Sequence, residues 1–164
     1  MTLSRVFIVA AEASGDQLGA DLVDALRSRR PDCAFAGVGG AAMAARGVAS
    51  AIDIGGLAVL GLVDGLKAYP RVIKLADGTA DAAAAFDPDA VVLIDSWGFT
   101  LRVAQRLRRR GQRARLIKYI GPQVWASRPG RARTLAATVD HLICIHDFET
   151  PFYAAYGLAC TVCG

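Results

Sequence analysis

The chain has 164 residues, of which 54% are apolar and 21% charged, and a formal net charge of +4. That length suits one domain with a sizeable core, and the apolar share argues against disorder. No apolar run reaches the roughly 18–20 residues needed to span a bilayer, and the amino terminus does not read as a leader. The four cysteines are then expected as reduced, mostly buried thiols of a cytoplasmic protein.

The first apolar run, residues 6–11, has the continuous character of a strand buried on both faces. Glu12, Ala13, Ser14, Gly15 and Asp16 follow at one point, and Leu18, Leu22, Val23 and Leu26 then recur with helical spacing. Residues 33–38 read as a second strand, and Gly39-Gly40 opens a short Ala-rich helix that stops near Gly47. Residues 48–54 are expected as a short third strand. Leu57 to Val63 follow the Gly55-Gly56 turn, with a helix ending before Pro70.

Pro70 suits the first turn of a long helix, about 70–86, and Pro88 closes it. Ala90-Val-Val-Leu-Ile94 is the clearest buried strand. A helix over 99–110 stops at Gly111. A strand at 115–120, a loop from Gly121-Pro122, and a helix near 130–138 come next. A strand at 141–145, a helix near 148–156 and a last strand at 159–163 complete the chain. This alternation implies an α/β fold, a parallel sheet of six or seven strands with helices on both faces.

In such sheets, ligands bind beyond the carboxyl ends of the strands. Those ends deliver Glu12, Ser14 and Asp16, then Gly39 and Gly40, then Asp95, Ser96 and Trp97. Gln123, Trp125, Ser127 and Arg128 follow, and finally His146, Asp147 and Glu149. Gly15 permits close backbone approach, and helix-start amides favour an anion. Glu12 and Asp16 are acidic, however, and suit sugar hydroxyls better than a pyrophosphate. Neither the dinucleotide fingerprint nor the P-loop is present. Asp95 follows five apolar strand residues, where partial burial helps a carboxylate accept a proton. The alternative is a structural Asp at the start of the next helix, a task Ser96 could share.

Other features read as structural. Asp87-Pro-Asp89 lies at the opposite edge of the sheet, where turn chemistry explains it, and no ligand set suggests a metal. Cys160 and Cys163, three apart in a strand, point to opposite faces and so do not form a redox pair. The basic run from Arg102 to Lys118, with Arg128, Arg131 and Arg133 following, reads either as an anion-seeking patch or as a solvated helix face. It comes with no nucleic-acid motif.

Several segments together resemble the lipid-A-disaccharide synthase family. They are Ala11-Glu-Ala-Ser-Gly-Asp16 with Gly19, Phe35-Ala-Gly-Val-Gly-Gly40 with Met43, and Leu57-Ala-Val-Leu-Gly-Leu-Val63. Pro88-Asp89 through Ile94-Asp95, Pro122-Gln-Val-Trp-Ala126 with Arg128, and Asp147-Phe-Glu149 with Phe152-Tyr153 continue in the family's order. Departures are Ala11 for Gly, Gln123 for Ser, Ser127 for Trp, and Ser96-Trp97-Gly98 for an Ala-Pro-Asp run.

The resemblance implies a Rossmann-like three-layer domain, the amino-terminal and acceptor-side half of a two-domain GT-B glycosyltransferase. The implied reaction joins UDP-2,3-diacylglucosamine to 2,3-diacylglucosamine 1-phosphate with inversion, releasing UDP, with no cofactor. Asp95 is the implied general base. Glu12, Ser14, Gly15, Asp16, Gly39, Gly40, Ser96, Gln123, Trp125, Arg128 and Glu149 are the implied substrate contacts. Leu57, Leu60, Leu62, Val63 and Leu66 beside Lys67, Arg71 and Lys74 would rest on the inner-membrane surface. The resemblance also admits a homodimer of the full-length protein. The competing readings are a non-catalytic ligand-binding α/β module and a related sugar-nucleotide enzyme, either an N-acetylglucosaminyl transferase or a UDP-sugar epimerase.

Overall fold

The computed structural model describes residues 3–54 and 69–163. The expected patch Leu57, Leu60, Leu62, Val63 and Leu66 lies outside them, as does the helix expected before Pro70. Six strands form one parallel sheet: β1 (Arg5–Ala10), β2 (Ala34–Val38), β3 (Ala90–Ile94), β4 (Arg115–Tyr119), β5 (His141–Cys144) and β6 (Ala159–Val162). Their spatial order is β2-β1-β3-β4-β5-β6. The chain therefore moves outward from β1 to β2, then returns to the other side of β1 for β3. That reversal makes β1 and β3, paired in register from Val6–Ala90 to Ala10–Ile94, the switch point of the sheet.

Alternation along β1 and β3 sorts their side chains onto two faces. Val6, Ile8, Ala10, Val92 and Ile94 pack with Ala20 and Val23 of α1 (Ala13–Arg29) and with Met43 of α2 (Ala41–Ala44). Phe7, Val9, Val91 and Leu93 pack on the other face. Their partners include Ala76, Ala80 and Ala83 of α3 (Tyr69–Phe86) and Phe99, Val103 and Leu107 of α4 (Trp97–Arg109). Leu135 of α5 (Gly130–Ala136) and Tyr153 of α6 (Thr150–Ala154) extend that core. Both faces of β3 are covered, which is why its sequence is uninterrupted apolar.

Two expectations change. Residues 48–54 form no strand; a single parallel bridge joins Gly37 to Ser50. The Ser50 hydroxyl accepts the Gly39 N–H at 3.2 Å and donates to the Ile52 carbonyl at 2.6 Å, so local side-chain bonding competes with a ladder. The helix expected at 148–156 is a 3-10 turn, Asp147–Glu149, followed by the five-residue α6.

The arginine-rich stretch is mostly tied down. Arg106 pairs with Asp77 and Arg110 with Asp81, which locks α4 against α3, and Arg108 reaches Asp140 at 2.6 Å just before β5. At the far edge, Asp89 binds the amides of Ser4 and Arg5 and the Ser4 hydroxyl at 2.7–2.9 Å, anchoring the start of β1 to the start of β3. Among the described residues, no helix is long and apolar enough to cross a membrane.

Candidate active site

The turn after β1 divides into two acidic residues with different tasks. Asp16 is 7% exposed, and its carboxylate accepts the backbone N–H groups of Gly40 (2.8 Å), Ala42 (2.8 Å) and Met43 (3.1 Å). A side chain on α1 therefore caps the amino end of α2, satisfying amides that a four-residue helix cannot. Gly40 makes this approach workable, because a Cβ there would lie 2.7 Å from Asp16 Oδ2. Its oxygens face backbone amides, so Asp16 has a structural task in the wall that it lines.

Glu12, at the N-cap position of α1, makes no side-chain cap bond and is exposed. Ser14 is exposed in the first helical turn, and Gly15 is buried beneath Ile94, where an added Cβ would be 3.4 Å from its Cγ2. Glu12, Asp16, Gly39 and Gly40 meet around a cleft of about 600 Å³. Ser50, Ile52, Asp53 and Ile54 supply its opposite wall. The sequence reading did not assign that second wall a site role. Its signal was the polar Ser50 and Asp53 set between apolar neighbours.

Asp95 is not part of that cleft's lining. It stands one strand over, at the end of β3, with Ser96 beside it. Both have left-handed backbone, at φ +41° each. Ile120, just past the end of β4, and Arg128 share that conformation at φ +63° and +52°. Left-handed non-glycine residues cost roughly 1–3 kcal/mol each and persist where their surroundings over-determine them. A β-branched isoleucine there is an outlier. Four of the five such residues in the described chain thus lie on the crest of the sheet where a ligand would sit.

Neither Asp95 nor Ser96 caps α4 with its side chain. Among the described residues nothing hydrogen-bonds the Asp95 carboxylate, which is half-buried. Its backbone is held firmly: its N–H donates to the Tyr119 carbonyl at 2.9 Å, and its carbonyl accepts the Thr100 hydroxyl at 2.7 Å. Lys118 of β4 also donates to that carbonyl. Lys118 is 2% exposed, and burial pushes its ammonium down to about 7 against the opposing pull of the Asp95 charge. The sequence reading counted Lys118 only within the basic run. Its signal was a lysine set inside an apolar strand.

The loop after β4 carries an aromatic group. Trp125, 44% exposed, meets Phe148 edge-on at 5.3 Å, and His146 stacks on the other ring at the same separation. Tyr153, fully buried, donates from its hydroxyl to the Pro122 carbonyl and fixes the loop's root. Gln123 and Arg128 are exposed on the same loop. Arg131 lies 5.2 Å over the Trp97 ring, and desolvation, then the nearby Arg128 charge, lower its pKa. Glu149 is turned inward, 6% exposed, where it accepts the His146 N–H at 3.1 Å and closes the 3-10 turn. That gives Glu149 a structural task in the turn. Among the described residues, no group of three or more His, Cys, Asp or Glu side chains is placed to hold a metal.

Sheet order and switch point define a Rossmann-like α/β domain, with the candidate site residues gathered at the ends of β1, β3 and β4. Solved structures share this fold. A UDP-GlcNAc 2-epimerase from Neisseria meningitidis bound to UDP-GlcNAc superposes with a TM-score of 0.70 at 10% identity, covering 98% of this chain and 46% of that one. A putative UDP-N-acetylglucosamine 2-epimerase from Listeria monocytogenes gives 0.68 at 14% identity, covering 96% and 43%. At such identities the likeness shows the fold alone.

Sequence comparison goes further. The family model described as lipid-A-disaccharide synthetase matches residues 6–164, and the chain belongs to that family. The lipid-A-disaccharide synthase of Rhodospirillum centenum is 47% identical over 160 residues, covering 97% of this chain and 40% of the relative. That of Myxococcus xanthus is 42% identical over 160 residues, covering 98% and 41%. The chain spans about two-fifths of the length of these curated relatives.

Proposed function

We propose that this chain is the acceptor-side part of an inverting glycosyltransferase. It would join UDP-2,3-diacylglucosamine to 2,3-diacylglucosamine 1-phosphate, giving lipid A disaccharide 1-phosphate and UDP. The observation that carries this reading is Asp95, a carboxylate without a hydrogen-bond partner on a rigidly held elbow at the switch point, in a chain of this family.

In the proposed step the acceptor 6-hydroxyl oxygen attacks the anomeric carbon from the side opposite the leaving diphosphate. The new C–O bond forms as the C–O bond to UDP breaks, and the hydroxyl proton passes to the Asp95 carboxylate. Glu12 accepts acceptor hydroxyls, and the Gly39-Gly40 backbone admits the sugar closely because Asp16 holds it in place. Trp125 and Trp97 offer aromatic faces to the sugar or to acyl chains. The paired charges of Arg128 and Arg131 suit the 1-phosphate. A carboxyl-terminal domain would hold the UDP-sugar and stabilise the departing diphosphate.

The acyl chains call for an apolar contact. We place it on Leu57, Leu60, Leu62, Val63 and Leu66, at the inner-membrane surface, with the protein otherwise in the cytoplasm. Leu60→Asp should lower co-sedimentation with anionic liposomes, and unchanged binding removes the patch from the account.

Titrating the chain's tryptophan fluorescence with 2,3-diacylglucosamine 1-phosphate tests the acceptor assignment, because both tryptophans lie on the crest. A saturable change with the acceptor and none with UDP at equal concentration is expected. Saturable binding of UDP without the acceptor would reverse the assignment.

A further inference from the structure

Lys118 is the one fully buried lysine of the described chain, and the proposed step above does not use it. Its ammonium has two partners, the backbone of the Asp95 elbow and a hydroxyl of α4 that itself binds that elbow. Nζ donates to the Asp95 carbonyl and, at 2.8 Å, to the Thr100 hydroxyl oxygen. The Thr100 hydroxyl in turn donates to the carbonyls of Asp95 (2.7 Å) and Ser96 (3.1 Å). Two side chains, one from β4 and one from α4, therefore converge through three hydrogen bonds on the carbonyls of two consecutive left-handed residues.

A neutral apolar side chain would fill this space at lower desolvation cost, since burying an ammonium is expensive unless its protons are taken up. The return for keeping it is geometric. With the carbonyl of Asp95 pinned from below, the residue's φ and ψ are set, and so is the direction in which its side chain leaves the strand. We propose that Lys118 is a positioning residue. It holds the Asp95–Ser96 elbow so that the Asp95 carboxylate is aimed at the acceptor hydroxyl, and it acts on the reaction only through Asp95. This rests on Asp95 being the base.

The test uses a full-length synthase carrying this chain as its amino-terminal part, joined to the remaining part of the Rhodospirillum centenum relative. Four forms are compared: wild type, Lys118→Met, Asp95→Asn and the double variant. Lys118→Met should lower kcat about 10–100-fold while the acceptor KM changes less than about threefold, the signature of misaimed chemistry. In the Asp95→Asn background the same substitution should cost less than about twofold, because residues acting as one unit are not additive. An equal loss in both backgrounds, or no loss in either, overturns the role of Lys118. If Asp95→Asn itself leaves turnover near normal, it is the base assignment that fails.

Lys118→Gln, which keeps a donor for the Asp95 carbonyl, should recover part of kcat and serves if Lys118→Met does not fold. A measurement on the unsubstituted lysine completes the test. Followed by 15N NMR of its side-chain nitrogen in this chain, Lys118 should titrate at lower pH in Asp95→Asn than in wild type. Asp95 is the one charged group acting on it from β3, and Thr100 is its partner from α4. An unmoved midpoint would show that the two side chains are uncoupled and would count against the proposal.

Discussion

Replacing Asp16 with alanine should destabilise this fold far more than replacing Glu12, the other acid that follows β1. The substitution removes an acceptor of three backbone N–H groups, at Gly40, Ala42 and Met43, from a site that is 7% exposed. Loss of a helix cap costs about 0.5–2 kcal/mol, and hydrogen bonds to a charged group are worth about 1.5–3 kcal/mol each. The three share one carboxylate, and water can reach part of the loop, so they will not add. A net loss of about 2–4 kcal/mol follows. For a chain of this size that is a fall in Tm of roughly 4–16 °C.

Asp16→Asn should be intermediate, because its NH₂ would face the Ala42 or Gly40 N–H, donor against donor. Glu12→Ala, four residues earlier and exposed, should stay within about 0.5 kcal/mol of wild type. Urea denaturation followed by circular dichroism measures all three. A loss below about 0.5 kcal/mol for Asp16→Ala, or equal losses for Asp16→Ala and Glu12→Ala, would refute the division of the turn into a structural and a ligand-facing acid.

Two further expectations concern chemistry away from the crest. Burial pushes the Cys144 thiol up to about 12, whereas Cys163 is exposed. At pH 8 iodoacetamide should therefore modify Cys163 first and spare Cys144 while the chain is folded; peptide mass mapping that finds equal rates would contradict this. Backbone and hydroxyl hydrogen bonds from Ser4, and the amide of Arg5, hold the Asp89 carboxyl below the usual carboxylate range. Its contribution to stability is complete above the unfolded value of about 4 and is lost as pH falls through the lower folded value. Asp89→Asn should flatten that acid limb in pH-dependent thermal melts. A limb as steep as that of wild type would assign it to other carboxylates.

How far the sequence can be read depended on whether a residue's partner was local. β1 and β3 were legible because strands covered on both faces leave continuous apolar runs, and Pro88 and Gly111 marked the ends of helices as their backbone preferences require. The crest was legible for the same reason: polar residues gathered where the apolar runs stop. Asp16 was not separable from Glu12 and Asp95, because its partners are backbone amides 24 to 27 residues further on, whose position tertiary folding decides. Lys118 was hidden for a related reason. Only the pairing of β4 with β3 brings it beneath Asp95. Residues 48–54 misled because Ser50 satisfies backbone groups through its side chain, which no periodicity records.

If Asp95 takes the proton of the acceptor hydroxyl, turnover of Asp95→Asn in the full-length synthase carrying this chain must show it. A fall in kcat of about 10²–10⁴-fold with acceptor binding retained is expected. Turnover within a few-fold of wild type, with the variant folded and binding acceptor, would contradict it.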